Sequence, residues 1–221
     1  MVNYQKIYPV LWSFRRCPYA MRARLAIKAS CYKVWLREIM LREKPKAFIA
    51  ASQKATVPVL VFPDGTLIEE SRDIMFWSLQ ASDQEGWLRV WKNDRAYCNA
   101  FFDRLDGSFK KQLDQYKYAS RFNAEVGEQS RQLGALFLAK INRTLARCSG
   151  ALYDADFGLL DAAALPFVRQ FRGVDIDWFD RQDWPALHHW LNKFLESENF
   201  TAVMQTYPPW QNAGSESLFP A

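Results

Sequence analysis

One thiol stands where a strand gives way to a helix: Cys17, in Ser13-Phe14-Arg15-Arg16-Cys17-Pro18-Tyr19-Ala20. Proline suits the first position of a helix, because the N–H it lacks has no partner there in any case. Pro18 therefore places Cys17 at or beside the N-cap. At that point the sulfur faces unpaired backbone N–H groups and the positive end of the helix dipole. Both favour the thiolate, the nucleophilic form, and Arg15 and Arg16 add cationic charge next to it. Ala20 occupies the place where a dithiol redox site carries its second cysteine. Disulfide turnover within the motif is thereby excluded, and a second thiol has to come from elsewhere.

Two further pieces have chemistry to offer. In Thr56-Val57-Pro58-Val59 a proline runs straight into an apolar strand. A cis Val57–Pro58 bond would turn the Val57 N–H and C=O toward an extended peptide ligand, whereas a trans proline at a sheet edge fits the same spacing. In Glu69-Glu70-Ser71-Arg72-Asp73, Ser71 is suited to cap a helix and offer backbone N–H groups to a carboxylate, while Glu70 can meet an ammonium. Taken in isolation, the second piece reads first as a plain helix cap.

The elements that must position these residues alternate at first. Residues 6–12 read as a strand, 18–29 as a helix and 32–39 as a second strand, giving a β-α-β unit with parallel strands. A polar segment, 42–54, leads to a strand at 57–62. Pro63-Asp64-Gly65-Thr66 is a strong turn signal, and 67–69 returns as the fourth strand. Ser71 opens a helix that ends near Ala81. The order β-α-β-α-β-β-α is that of a thioredoxin-like domain, α/β in class. After the polar break 82–86 the signals are helical, as over 126–147. The expected organisation is a thioredoxin-like domain over 1–81 and an all-helical domain over 87–221.

Composition narrows the field. Among 221 residues, 49% are hydrophobic and 24% charged, values of an ordinary folded protein. Neither a signal peptide nor an apolar run of membrane-spanning length is visible, so the expectation is a cytoplasmic protein with no membrane association. The four cysteines, Cys17, Cys31, Cys98 and Cys148, are dispersed and do not cluster with the two histidines, which argues against a metal site or a disulfide framework. The net charge of +5 is uneven: residues 1–81 carry 13 Lys+Arg against 6 Asp+Glu, and residues 82–221 carry 16 against 18. No dense basic run accompanies this excess, so it points to a small anion and not to nucleic acid.

Taken together, the Cys17-Pro18-Tyr19-Ala20 motif, Thr56-Val57-Pro58-Val59-Leu60 and Glu70-Ser71 resemble the cytosolic glutathione transferase superfamily, and within it the cysteine-type, omega-like and bacterial members. The resemblance spans the chain, since that family also ends in a helical domain. It implies that Cys17 forms a mixed disulfide with glutathione, the co-substrate. It further implies that Lys44 meets the glycyl carboxylate, that Val57 with Pro58 supplies backbone pairing, and that Glu70 and Ser71 hold the γ-glutamyl end. Gly158-Leu159-Leu160-Asp161 is similar to the family's capped core helix, with Asp161 structural and Gly158 standing where Ser or Thr is usual. The second-substrate pocket is expected between Cys17 and the helical domain, with Tyr19, Tyr116, Tyr118, Phe122 and Trp210 as candidate walls.

The activity so implied is a glutathione-dependent thiol transferase or reductase, acting on small disulfides, glutathionylated proteins or dehydroascorbate. Two alternatives stand beside it. One is conjugation of glutathione to electrophiles, with Ser13 or Tyr8 as the hydroxyl donor. The other is a non-enzymatic transferase-like protein that binds a protein partner such as RNA polymerase. A homodimer is what the resemblance implies for assembly.

Overall fold

The computed structural model describes residues 8–119 and 123–220. They form two compact units, one made of residues up to Glu85 together with Glu198 onward, the other of Gly86–Ser197. The expected division assigned everything after residue 87 to the helical part; the structure instead returns the segment from Glu198 to the first unit.

The first unit is built on a mixed five-stranded sheet. Its elements are β1 (Val10–Ser13), α1 (Pro18–Ala29), β2 (Val34–Glu38), α2 (Lys46–Ala51), β3 (Val59–Val61), β4 (Leu67–Ile68) and α3 (Ser71–Ala81). That is the β-α-β-α-β-β-α order of a thioredoxin-like domain. Two further elements, α11 (Glu198–Met204) and β5 (Ser217–Phe219), come from the chain's last residues. The strand order is β4-β3-β1-β2-β5. β1 and β2 are parallel, with Leu11 opposite Leu36, and every other pairing is antiparallel. Gly65 turns the β3–β4 hairpin with φ +88°, a conformation that side chains disfavour.

Helix α1 packs against α3 and is buried nearly all round, including Arg22 at 2% and Arg24 at 1% exposure. Both guanidiniums find partners inside the unit. Trp12, Ile39, Phe48, Val57 and Val59 form a core cluster against which Cys17 and Trp210 pack. Trp12 meets Phe48 at 5.4 Å and Trp210 edge-on at 5.0 Å, between ring centroids.

The second unit is helical. Its elements are α4 (Arg89–Asn93), α5 (Arg95–Arg104), α6 (Lys110–Lys117), α7 (Ala124–Arg147), α8 (Leu159–Arg172), α9 (Ile176–Asp180) and α10 (Pro185–Leu195). A single π-helical turn, Leu105–Phe109, joins α5 to α6. Helix α8 is the core helix, apolar on almost every side. At its start the Asp161 carboxylate accepts the Gly158 N–H at 3.0 Å, the Leu152 N–H at 3.1 Å and the Trp190 indole N–H at 2.8 Å. Asp161 thus reaches back to the helix start as the capping pattern predicts. Burial pushes its carboxyl up to about 7, against the pull of the Trp190, Gly158 and Leu152 donors. No helix among the described residues is long and apolar enough to cross a membrane.

Candidate active site

Strand β1 ends at Ser13, and the chain turns back over Phe14–Cys17, closed by the Cys17 N–H on the Phe14 carbonyl at 3.0 Å. Cys17 has extended backbone angles, φ −73° and ψ 123°, and is the N-cap of α1, with Pro18 at its first position. Its carbonyl accepts the Met21 N–H at 2.9 Å, so the peptide has begun the helix while the side chain stands outside it. The thiol is half-buried, lies in no disulfide, and donates toward the Val57 carbonyl oxygen at 3.7 Å.

Val57 supplies that carbonyl from the residue pair entering β3, and the Val57–Pro58 bond is cis. Of the two proline geometries left open by spacing, the structure has the one that sets Val57 beside Cys17. These two residues are brought into direct contact.

The cation against this turn is one that sequence reasoning missed. The Arg15 side chain reaches the Met204 carbonyl at 3.4 Å, and the Arg16 guanidinium lies 5.8 Å from the Phe14 ring centroid. Arg24 instead runs back beneath the turn, donating from Nη1 to the Ser13 hydroxyl and from Nη2 to the Arg15 carbonyl at 2.8 Å. Its spacing was the available signal: position 24 is seven residues, two helical turns, past Cys17 and on the same face. Helical side chains lean toward the N-terminus, which carries Arg24 back to the turn. On the other side of Arg15, Glu38 at the end of β2 accepts the Arg15 N–H at 2.5 Å.

Burial lowers Arg24 to about 10, while Glu38, Cys17 and Tyr207 oppose that shift. Burial likewise raises the Glu38 carboxyl, against the Arg15 N–H and the charges of Arg24 and Arg15. Ser13 is fully buried with its hydroxyl engaged by Arg24, so it is not the exposed hydroxyl that a conjugation mechanism needs. Tyr8 stacks edge-on against Trp35 at 6.2 Å.

At the start of α3 the N-cap is Glu70 and Ser71 is the first helical residue. The predicted Ser71 side-chain cap is absent; its hydroxyl oxygen accepts a hydrogen bond from Arg22 Nε at 3.0 Å. The reason is one of register, since a residue inside the first turn cannot cap from its side chain as the preceding one can. The Glu70 carboxylate is exposed and holds Lys54 Nζ at 3.0 Å, with Glu69 3.7 Å from the same ammonium. Lys54, in the polar stretch before Val57, was not singled out by the sequence. Lys44 is exposed on the segment before α2 and makes no hydrogen bond or ion pair among the described residues.

The candidate pocket aromatics divide. Tyr19 is half-buried with the Arg22 guanidinium 5.0 Å from its ring centroid. Trp210 belongs to the first unit, where its N–H donates to the Glu38 carbonyl at 2.7 Å and Arg37 lies 4.6 Å from its ring centroid. Tyr116 is core of the second unit, 9% exposed and packed on Phe171 at 5.0 Å, which corrects its reading as a pocket wall. Tyr118 ends α6 half-buried under Lys117. Phe122 lies outside the described residues.

Residues 11–85, which carry Cys17, Arg24, Glu38, Val57, Glu70 and Ser71, match the family model described as glutathione S-transferase, N-terminal domain. The chain has the glutathione-transferase fold. It superposes on a glutathione transferase family member from Pseudomonas fluorescens with two glutathione bound, at TM-score 0.76 and 15% identity, covering 92% of this chain and 94% of that one. Against the glutathione transferase Omega 3C of Trametes versicolor the TM-score is 0.76 at 16% identity, covering 94% and 95%. Leishmania TDR1, a trimeric glutathione transferase, matches at TM-score 0.74 and 21% identity over 90% of this chain, which spans only 46% of that longer one. No curated protein matches the chain in sequence. At these identities the glutathione-transferase likeness of the whole chain is one of fold.

Proposed function

We propose that the chain is a glutathione-dependent thiol transferase or reductase that works through a mixed disulfide at Cys17. The observation that carries this reading is the placement of the Cys17 thiol: at the N-cap of α1, against the Val57 carbonyl, with Ala20 where an internal resolving thiol would stand. The glutathione named for structurally similar proteins supports the choice of the external thiol.

In the proposed cycle, the Cys17 thiolate attacks the glutathione sulfur of a mixed disulfide between glutathione and a second thiol. The bond from Cys17 to glutathione forms as the old S–S bond breaks, and the released thiolate takes a proton. A second glutathione thiolate then attacks the enzyme-bound glutathione sulfur, releasing glutathione disulfide and regenerating Cys17. The net reaction consumes one mixed disulfide and one glutathione and yields one thiol and one glutathione disulfide.

Tripeptide binding is assigned by chemistry. Val57 pairs with the ligand backbone, Pro58 orients Val57, Glu70 takes the γ-glutamyl ammonium, and Ser71 with the α3 start takes the neighbouring carboxylate. Lys44 meets the glycyl carboxylate by its charge. Conjugation to electrophiles is disfavoured by the buried, occupied Ser13 hydroxyl. A cytoplasmic homodimer accompanies the reading.

The test is glutathione-disulfide exchange by wild type and Cys17→Ala, with conjugation of a generic electrophile followed in parallel. Exchange lost in the variant supports the assignment. Exchange retained in full refutes it.

A further inference from the structure

Arg15 is held through its backbone from both sides. Glu38 takes its N–H at 2.5 Å and Arg24 its carbonyl at 2.8 Å, two residues before the thiol. Buried ionised groups are costly and normally spend their charge on each other. Here Arg24 Nε and Glu38 Oε2 are buried with no hydrogen-bond partner among the described residues, so neither group is arranged as a plain ion pair. Their remaining polar atoms are aimed at the two peptide groups that flank the Arg15 Cα and at Ser13, the last residue of β1. The Phe14–Cys17 turn is thus fixed from β2 on one side and from α1 on the other.

We infer that Arg24 and Glu38 are positioning residues: they clamp the Arg15 backbone at the peptides on either side of its Cα, and through it hold the Cys17 thiol at the α1 N-terminus in its reactive direction. Arg24 adds a cation buried against the turn. The inference rests on Cys17 being the reactive thiol proposed above. The other titratable groups facing Arg24 are Arg15 from the turn and Tyr207 from the segment after α11; the thiol's own neighbour from the β3 side is the uncharged Val57 carbonyl.

The experiment is the pH dependence of Cys17 alkylation by iodoacetamide in the full chain, read on the Cys17 peptide by mass spectrometry so that Cys31 and Cys148 do not interfere. Arg24→Met is expected to raise the midpoint by about one unit, and Arg24→Lys, which keeps the charge, by clearly less. Glu38 separates a clamp from a neighbouring charge. Loss of its negative charge alone can only lower the midpoint, so Glu38→Gln, which keeps an acceptor for the Arg15 N–H, leaves it unchanged or lower. Glu38→Leu, with no acceptor, is expected to raise it by about half a unit as the thiol leaves the helix end.

A folded Arg24→Met with the wild-type midpoint overturns the inference, as does Glu38→Leu shifting with Glu38→Gln. If Arg24→Met does not fold, as checked by circular dichroism, the Arg24→Lys and Glu38 variants decide. Alkylation needs no glutathione. A chain with the expected midpoints and no disulfide exchange would retain the clamp and lose only the proposed activity.

Discussion

Arg22 Nε donates to the Ser71 hydroxyl oxygen at 3.0 Å, tying the second turn of α1 to the first residue of α3. Because the oxygen is already accepting, the Ser71 hydroxyl proton is left to point at an acceptor of its own. A ligand carboxylate at the α3 start is such an acceptor. Arg22→Met is therefore expected to weaken glutathione binding about tenfold in titration calorimetry, the loss of one charge-assisted hydrogen bond in the chain to the ligand. The Cys17 alkylation midpoint should not move. Unchanged affinity would remove Ser71 from the binding site.

Lys54 sits on the carboxylate assigned to the ligand ammonium. Its ammonium is held up in pKa by the Glu70 hydrogen bond first and by the charges of Glu70 and Glu69, and the pair is solvent-exposed. Exposed pairs are weak and salt-sensitive, so displacement is easy. Lys54→Gln is expected to tighten glutathione binding by about twofold at low ionic strength, with the advantage fading as salt is added. Weaker binding would show instead that Lys54 contacts the ligand itself.

Asp161 provides a control on structure as against catalysis. Asp161→Ala leaves the Gly158, Leu152 and Trp190 N–H groups without their acceptor inside the second unit. A loss of about 3 kcal/mol or more is expected in denaturant unfolding. Alkylation of Cys17 in the folded fraction should proceed at the wild-type rate.

Acid should find Asp154. The hydrogen bond from Arg89, at 2.8 Å from Nε, is the main cause holding its carboxyl below the ordinary range, and burial opposes it. A folded-state value below the unfolded one means that the stabilisation is complete above the unfolded value, near pH 4. It is lost as pH falls through the folded value. The group is partly exposed, so solvent limits the effect to about 0.5 kcal/mol. The melting temperatures of wild type and Arg89→Met should converge between pH 6 and pH 3; a constant difference would refute the assignment.

Legibility followed the range of the interactions. Helices α1 and α3 are written locally, in Pro18 and in apolar spacing, and their ends fall where the pattern puts them. The hairpin likewise follows from Asp64-Gly65. Strand β5 was invisible because three residues cannot display an alternation, and because its ladder partner is β2, far back in sequence. The same distance hid the role of Trp210, which reaches the Glu38 carbonyl. Arg22 and Arg24 went unmarked for a different reason. A charged residue in a helix reads as surface unless its partner is known, and their partners, Ser71, Ser13 and the Arg15 carbonyl, become neighbours only once the helix has packed. Lys54 was lost in a polar stretch without periodicity.

The return of residues 198–220 to the first unit sets an order of events during synthesis. When the ribosome has released the chain up to Glu85, β2 still has one edge without a neighbour, and Trp12 lacks the indole that packs against it. Both arrive only after the entire helical unit has been made. The surroundings of the thiol are thus assembled from segments on both sides of the helical unit in sequence. The sheet must therefore wait, with an open edge that invites wrong pairing, for a segment translated after the helical unit.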